Sequence, residues 1–415
     1  MSQTHSQPRS TLPQNFLMIL SFLVCIFTNS ISWAQTPPPP TNILVSYSER
    51  GSSGVPQLKV RQGTVPGGFG PSLILYSAGP QDSIFVWQNY DQDIDPDNVY
   101  IDYLVYRAQN YSYEFRQDKV HLPTFTFTNQ ASQGFGRGSF ELETASGRIN
   151  GTRVTFYAVM YRDYLNPTYG GIIIQTIPPI AGPYTIPNLI RPSNLQIRPE
   201  NDSQGNTTKL RLYFGHYSWP TTIPYGSVSL HTAEINLSTN QVSLPQNLSP
   251  NIDLNTLQVG EKYFIFRSSY SSPQSHYMSY SLTPGSWSSP VPVFSPAPVA
   301  AALLKEEGDI AINLIKTGQN IIHEQILFAA QFYRNNQYQL PVTSIYGRPI
   351  LPKKLPRVGG NIRNLYVFGV IANGQNGLIP NIYRVIDGVL DQQSVAITSG
   401  STLNAIYDFK LDVLP

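Results

Sequence analysis

Cysteine is almost absent from this chain. The single cysteine, Cys25, lies in an apolar segment near the N-terminus. The residues that follow can therefore form no internal disulfide, and they offer no thiolate as a nucleophile or metal ligand. Stability must come from a hydrophobic core, and a chain of 415 residues is long enough to bury most of its unfolded surface.

Charged residues are also scarce. They make up 13% of the sequence, against about 25% in typical domains, and the net charge is only +2. This excludes an electrostatic nucleic-acid binder, which needs a clustered basic surface. The densest basic stretch, residues 348–357 with Lys353 and Lys354, is proline-rich and is predicted to be a solvated loop. Low charge together with 26 tyrosines argues against disorder and favours an all-β protein with polar, uncharged surfaces.

Recognisable catalytic motifs are missing too. The sequence contains no HExxH pair, no GxSxG nucleophile elbow and no glycine-rich phosphate loop. A glycosidase needs only two carboxylates, which can come from distant segments, and Asp163 and Glu234 are candidates for such a pair. The sequence leaves enzymatic activity open and leans toward a protein without catalysis.

The N-terminus has the pattern of an export signal. Phe16–Thr28 is mostly apolar and is followed by Ser32-Trp33-Ala34, whose small residues suit cleavage after Ala34. Residues 1–34 are therefore predicted to be a signal peptide and residues 35–40 a proline-rich, extended spacer. We expect a secreted or periplasmic protein with a single domain over residues 41–415 and no transmembrane segment after cleavage.

A repeat runs through the middle of the chain. Tyr-x-x-Pro occurs in register at Tyr164, Tyr217 and Tyr270, with steps of 53 residues. Further copies at Tyr184, Tyr338 and Tyr346 fall outside this register, so the flanking strands matter more than the motif. An apolar run precedes each copy, and a second tyrosine with another strand-like run follows it. A constant period of about 50 residues built on short strands indicates a repeated β-sheet unit.

The repeat predicts the architecture. Turn signals follow the paired strands at Pro179–Gly182, Ser238–Asn240, Thr283–Ser286, Asn335-Asn336 and Asp387-Gly388. Four short strands per unit, repeated along the chain, describe a β-propeller of six or seven four-stranded blades. The C-terminal run Ala405–Leu414 has no partner of its own, so we expect it to pair with the N-terminal segment and close the ring. A β-sandwich is the alternative fold. The sequence has one helix-like stretch, Pro298–Glu307, and this stretch could equally be a strand.

One acidic cluster has the spacing of an oxygen-ligated metal loop. Asp91, Asp93 and Asp95 alternate along the chain, and Asp102 follows at the twelfth position. Ca²⁺ loops use oxygen ligands at positions 1, 3, 5 and 12. The cluster resembles such a loop, although Pro96 stands where glycine is usual and Asp102 replaces a glutamate. Calcium is therefore a candidate cofactor, with a solvated acidic loop as the alternative.

Aromatic loops form the second candidate site. If the three Tyr-x-x-Pro segments join the second and third strands of consecutive blades, they lie on one face of the ring. The residues predicted to bind a ligand there are Tyr164, His216, Tyr217, Trp219, Tyr225, Tyr270, His276 and Tyr277. Aromatic rings with polar tips suit a glycan or a protein partner, and glycan binding is the leading hypothesis. A propeller-type glycoside hydrolase and a structural interaction protein are the alternatives, and the tyrosines could instead pack between blades.

Overall fold

The computed structural model describes the chain from residue 40 to residue 414, with gaps. Up to residue 249 these gaps are 51–53, 66, 90–93, 163–168 and 218–227. From residue 254 to residue 409 the description is limited to the backbone of the strands. Residues 40–415 form one compact unit. None of the described residues belongs to a helix long and apolar enough to span a membrane.

Every regular element described in this unit is a β-strand. The strands of the first part are β1 (Thr41–Arg50), β2 (Pro56–Val65), β3 (Leu73–Ser77), β4 (Ser83–Asn89), β5 (Asn98–Arg107), β6 (Ser112–His121), β7 (Thr126–Arg137), β8 (Ser139–Ile149), β9 (Thr152–Arg162), β10 (Tyr169–Ile177), β11 (Tyr184–Ile190), β12 (Ser193–Asn201), β13 (Thr207–Tyr217), β14 (Val228–Asn236), β15 (Gln241–Val242) and β16 (Gln246–Ser249). Those of the second part are β17 (Leu254–Val259), β18 (Tyr263–Ser268), β19 (His276–Thr283), β20 (Ser286–Trp287), β21 (Val291–Phe294), β22 (Ala300–Glu306), β23 (Asp309–Lys316), β24 (Ile322–Phe328), β25 (Phe332–Gln339), β26 (Ile350–Lys354), β27 (Leu365–Gly374), β28 (Gly377–Ile386), β29 (Val389–Ala396) and β30 (Ala405–Val413).

The described strands form seven antiparallel sheets. Sheet 1 has the order β30-β1-β2-β3, and sheets 2 and 3 are β4 to β7 and β8 to β11. Sheets 4 and 5 start at β12 and β17, and in each of them two short strands share the outermost position. Sheets 6 and 7 are β22 to β25 and β26 to β29. The fold is therefore a β-propeller, and the predicted four-stranded unit is confirmed.

The innermost strands contact one another in a closed circle. β30 contacts β4, and the contacts continue through β8, β12, β17, β22 and β26 back to β30. The circle closes because the C-terminal strand pairs with the N-terminal one, from Ile43 opposite Val413 to Arg50 opposite Ala405. The predicted closure by Ala405–Leu414 is confirmed, and it gives sheet 1 strands from both ends of the chain.

Neighbouring sheets pack through apolar faces. One core cluster joins sheets 3 and 4 through residues such as Phe156, Leu212 and Phe214, which are fully buried. A second joins sheets 1 and 2, with Leu58 and Val86 at its centre. Residues on both faces of the middle strands are buried because each sheet is covered on both sides. This burial is the main source of stability in a chain without disulfides.

Antiparallel order gives the ring two distinct faces. The segments that join second to third strands, and those that join one sheet to the next, lie on what we call the upper face. The turns between first and second strands, and between third and fourth strands, lie on the lower face. The Tyr-x-x-Pro segments at Tyr164, Tyr217 and Tyr270 lie at or after the ends of β9, β13 and β18, the second strands of sheets 3, 4 and 5, and each of these strands ends at the upper face. The flanking strands are equivalent as predicted. The equivalence of the three tyrosines stays a prediction, because Tyr164 and Tyr270 lie outside the described residues.

An arginine ends the second strand of each of the first three sheets and holds an upper-face connection. Arg50 donates to the Pro80 carbonyl oxygen and, at 2.9 Å, to that of Asp82. Arg107 reaches the Asp82 carboxylate at 3.1 Å. Arg162 donates to the Pro192 carbonyl oxygen from Nε and Nη2, at 3.1 and 2.9 Å. These side chains fix the segments that lead into the innermost strands.

Two sequence-based expectations are wrong in the second half of the chain, and one open alternative is decided. The stretch Pro298–Glu307, which the sequence left open between helix and strand, contains strand β22, because pairing with β23 over the whole length of β22 outweighs local helix preference. Asn335-Asn336 is not a turn but lies within β25, at an irregularity in its pairing with β24. Lys353 and Lys354 are not in a solvated loop, since they end the innermost strand β26. The other four predicted turns each join a third strand to a fourth.

Ring closure can be tested by truncation. A variant ending at Thr402 lacks β30, which leaves β1 with an open edge and removes the buried Leu411 and Leu414. Burial of two leucines alone contributes about 5 kcal/mol, so we expect the thermal midpoint to fall by roughly 6 °C or more. The matched control ends at Leu414 and lacks only Pro415. An equal midpoint for the two variants would show that closure does not stabilise the ring.

Candidate functional site

The structure brings part of the predicted aromatic set to the upper face. Tyr217 is the last residue of β13, and His276 and Tyr277 are the first two residues of β19, so their backbones lie at upper-face strand ends. Tyr164, Trp219, Tyr225 and Tyr270 lie outside the described residues. The strand ends that flank these segments share the upper face, and the positions and contacts of those four side chains remain predictions.

His216 is the member of the set whose side chain is described, and it lies beside a second histidine. The rings of His216 and His231 meet edge to face with centroids 4.9 Å apart. His216 Nδ1 lies 3.0 Å from the Ile190 backbone nitrogen and 3.2 Å from the Ile190 carbonyl oxygen, so this ring nitrogen is held by the Ile190 backbone. Burial lowers the pKa of both histidines below the usual value. Both rings are therefore uncharged at neutral pH.

Two exposed tyrosines lie on the same face. Tyr169, the first residue of β10, keeps 49% of its surface exposed, and Tyr111, in the segment between β5 and β6, keeps 58%. Tyr111 was missed by sequence reasoning because it stands outside any Tyr-x-x-Pro motif. Together they extend the aromatic surface from sheet 3 to sheet 2.

A second group of functional side chains lies at the centre of the ring. It comes from the innermost strands of four consecutive sheets and consists of Phe85 and Trp87 on β4, Glu143 on β8, Arg198 on β12 and Lys410 on β30. Phe85 is 43% exposed although it belongs to an innermost strand. Arg198 is also exposed, whereas Trp87, Glu143 and Lys410 are partly buried. We call these five residues the channel cluster.

Glu143 is the electrostatic centre of the channel cluster. Its surroundings together raise the pKa of Glu143 to about 7. Burial makes the largest contribution and the neighbouring carboxylate of Glu141 acts in the same direction, whereas Arg198, Lys410 and a hydrogen bond from the Trp87 side chain lower the pKa. Desolvation outweighs these stabilising partners.

Glu141 has a supporting role next to this group. Its two oxygens accept hydrogen bonds from the backbone N–H groups of Asn194 and Leu195, each at 2.8 Å. Both donors lie at the start of β12, so the carboxylate ties sheet 3 to sheet 4. These two hydrogen bonds fix the start of β12, the strand that carries Arg198.

The two acids proposed for a glycosidase pair are not brought together in the described residues. Glu234 lies on β14, a third strand, where it pairs with Lys209 at 2.9 Å and Arg211 at 3.0 Å. Asp163 lies outside the described residues. The charge of Glu234 is therefore balanced by these two cations. Arg211 also pairs with Glu200, so the four residues form one ion-pair network.

The acidic cluster of the sequence is divided between a loop and a strand. Asp91 and Asp93 lie outside the described residues. Asp95 accepts hydrogen bonds from the Asn98 amide and the Tyr100 hydroxyl, both at 2.8 Å. Asp102 lies within β5 and is fully buried. The sequence interpretation of Asp102 as a loop residue is therefore wrong.

Asp102 serves as a polar joint between sheets 2 and 3. It accepts hydrogen bonds from Asn89 and, at 2.6 Å, from Gln117. Asn89 also reaches Thr144 at 2.7 Å, and Gln117 reaches Thr155 at 3.0 Å. Burial raises the pKa of Asp102 to about 6 despite these bonds. Its oxygens are already used, and the described residues contain no group of three or more His, Cys, Asp or Glu side chains placed to hold a metal.

The channel cluster was not predicted from the sequence. The signal was present in the alternation of Phe140-Glu-Leu-Glu-Thr144, where a strand places two acids on one face. The sequence pattern does not say which strand of a blade is innermost, so it could not reveal that these acids meet Arg198 and Lys410.

Calcium binding by the acidic loop stays a prediction with a direct test. If Asp91, Asp93 and Asp95 hold Ca²⁺, the ion should stabilise the folded protein by about 2.7 kcal/mol at a hundredfold excess over Kd. The measurement is a thermal melt with Ca²⁺ and with chelator, for the wild type and for Asp93→Asn. A midpoint that does not depend on the metal in the wild type would leave the cluster as a solvated loop.

Comparisons with known proteins give likeness in fold alone. No family model matches the sequence, and no curated relative is found. Among solved structures, the chain is similar to a lectin of Aleuria aurantia in complex with α-methyl-L-fucoside, at 10% identity and a TM-score of 0.41, over 74% of this chain and 97% of the lectin. The propeller domain of the trilobed protease from Pyrococcus furiosus is similar at 7% identity and a TM-score of 0.43, over 88% of this chain and 96% of that domain. The NanB sialidase from Streptococcus pneumoniae is similar at 8% identity and a TM-score of 0.39, over 86% of this chain and 87% of the sialidase.

Proposed function

We propose that this protein is a secreted or periplasmic β-propeller that binds glycans on its upper face. The observation that supports the proposal is that Tyr111 and Tyr169 are exposed on that face, where strands β9, β13 and β18 end. The sequence has a Tyr-x-x-Pro motif at or after the end of each of these three strands.

The chemistry of these side chains suits a sugar. Aromatic faces stack against the C–H faces of a pyranose ring, while tyrosine hydroxyls and histidine nitrogens bond its hydroxyl groups. His216 is uncharged at neutral pH, so it can bond neutral hydroxyls without the cost of desolvating a charge. The export signal and the proline-rich spacer support a location outside the cytoplasm, where glycans are abundant.

A hydrolase is not the function that we propose. Paired-carboxylate chemistry needs two acids on opposite sides of a glycosidic bond. Of the two acids that the sequence suggested, Glu234 is engaged with Lys209 and Arg211 on a third strand. A protein partner of the aromatic face is the competing function, because tyrosine and tryptophan are also common anchors of protein interfaces.

Glycan binding through this face is tested by a matched pair of variants on a glycan array. Tyr169→Ala removes an exposed ring from the upper face, and we expect it to weaken binding about three- to tenfold through loss of stacking. Phe127→Ala is the control, because Phe127 is also exposed but lies at the lower-face end of β7.

Three outcomes separate the competing functions. Retention of diverse sugars by the wild type, with a loss confined to Tyr169→Ala, supports the proposal. Equal losses in both variants would place the binding site elsewhere. No sugar binding, together with capture of an envelope protein that depends on Tyr169, would replace the glycan with a protein partner.

A further inference from the structure

Two stacked rings close the space between sheets 2 and 3 at the middle of their strands. Phe115 on β6 and Tyr157 on β9 lie with their ring centroids 4.7 Å apart and their planes 11° from parallel. Both are buried and belong to one hydrophobic cluster that contains residues of both sheets. This pair brings the two sheets into direct contact and forms a floor between them.

Above this floor, the side chains of sheet 2 are aromatic and only partly buried. Tyr113 and Phe135 are register partners on β6 and β7 and lie about 7 Å closer to the upper face than the floor. Both pack on the same cluster as Phe115 but keep part of their surface exposed. Tyr106 lies against Tyr113, with ring centroids 5.0 Å apart, and is also partly exposed. The space between the sheets therefore opens from the floor toward the upper face.

Strand β10 of sheet 3 forms the opposite wall. Ile172 and Ile174 point into the core between sheets 3 and 4. Side chains alternate along a strand, so Tyr169, Ile173 and Gln175 point the other way, toward sheet 2. Tyr169 is exposed at the upper end of β10, and Gln175 lies six residues further on, about 20 Å along the strand. We call the space bounded by Tyr113, Phe135 and Tyr169, with Gln133, Tyr157 and Gln175 at its floor, the inter-sheet cleft.

Two glutamines at the floor leave hydrogen-bonding groups for another molecule. The Tyr157 hydroxyl lies 2.5 Å from Gln133 Oε1, and it also bonds the amide of Gln175. Burial raises the pKa of Tyr157 to about 12, so the hydroxyl keeps its single proton and can donate to only one amide oxygen. The other amide must turn and donate its NH₂ group instead.

The two amides therefore differ in what they still offer. The glutamine that accepts the Tyr157 proton has an unused NH₂ group, and the one that donates to the hydroxyl has an unused carbonyl oxygen. Neither Gln133 nor Gln175 has another hydrogen-bond partner in the part of the chain that the structure describes, and both are partly exposed. A donor and an acceptor side by side match the hydroxyl groups of a sugar, which donate and accept.

We propose that the inter-sheet cleft binds a neutral oligosaccharide. Gln133 and Gln175 bond the hydroxyl groups of one sugar, and Tyr113 and Phe135 pack against its C–H face. Tyr169 contacts a further sugar at the entrance, because the distance from the floor to the entrance exceeds the size of one pyranose ring. The side chains of the cleft are uncharged, so they suit neutral hydroxyls better than a sugar carboxylate. The inference rests on the proposed glycan-binding function and names the class of glycan and its place.

The first test measures the contribution of the floor. Calorimetry with the neutral oligosaccharide that the wild type retains best on an array should give a loss of about three- to tenfold for Gln133→Ala, the usual effect of one hydrogen bond. Gln130→Ala is the matched control. It removes the same side chain from the same strand, and the amide of Gln130 is bonded to Thr128 on that strand. We expect the control to bind as tightly as the wild type.

The second test measures the contribution of the aromatic wall. Tyr113→Ala removes a ring from the wall and should weaken binding about three- to tenfold, whereas Tyr113→Phe keeps the ring and should retain most of the affinity. Thermal melts of all variants show whether they remain folded. Weaker binding by Gln133→Ala at an unchanged thermal midpoint separates contact with the sugar from a role in folding.

The outcomes distinguish this inference from the function on which it rests. A sugar that is lost in Tyr169→Ala, with no effect of Gln133→Ala or Tyr113→Ala, lies elsewhere on the upper face, which overturns the inference and leaves glycan binding intact. Preferential retention of carboxylate-bearing sugars, or equal losses for Gln133→Ala and Gln130→Ala, overturns the inference as well. A protein that retains no sugar of any kind overturns both.

Discussion

The backbone pairing of β30 with β1 is the constraint on which the rest of this structure depends. A propeller is a closed circle, and here the circle is closed by strands from opposite ends of the chain. The pairing covers the inner edge of β1, where a free row of backbone donors and acceptors would otherwise face the channel. It also carries Lys410 to the centre of the ring, beside groups that come from the first half of the chain.

Polar side chains complement this closure by joining neighbouring sheets. Asp102 links sheets 2 and 3 through amide and hydroxyl groups, and Glu141 links sheets 3 and 4 through two backbone N–H groups. Burying such groups is costly unless they are bonded, which makes each joint specific for one arrangement of the sheets. Neighbouring sheets are therefore held at fixed positions, as a binding site between them requires.

The sequence predicted the repeated unit and its closure, because these depend on local period and strand pattern. It could not decide where long-range pairing determines the outcome. The sequence left Ala300–Glu306 open between helix and strand, and pairing with β23 makes it a strand. Asp102 has the spacing of a loop ligand, but its partners Gln117 and Asn89 come from the two strands on either side of β5. The channel cluster could not be predicted, because its members meet only when the ring closes.

The upper face, on which Tyr111 and Tyr169 are exposed, carries the proposed function. This account is tested most directly by a crystal structure of the protein with a bound oligosaccharide. It predicts that a sugar ring lies against aromatic side chains of the upper face, Tyr169 among them. A sugar bound at the lower face would contradict it.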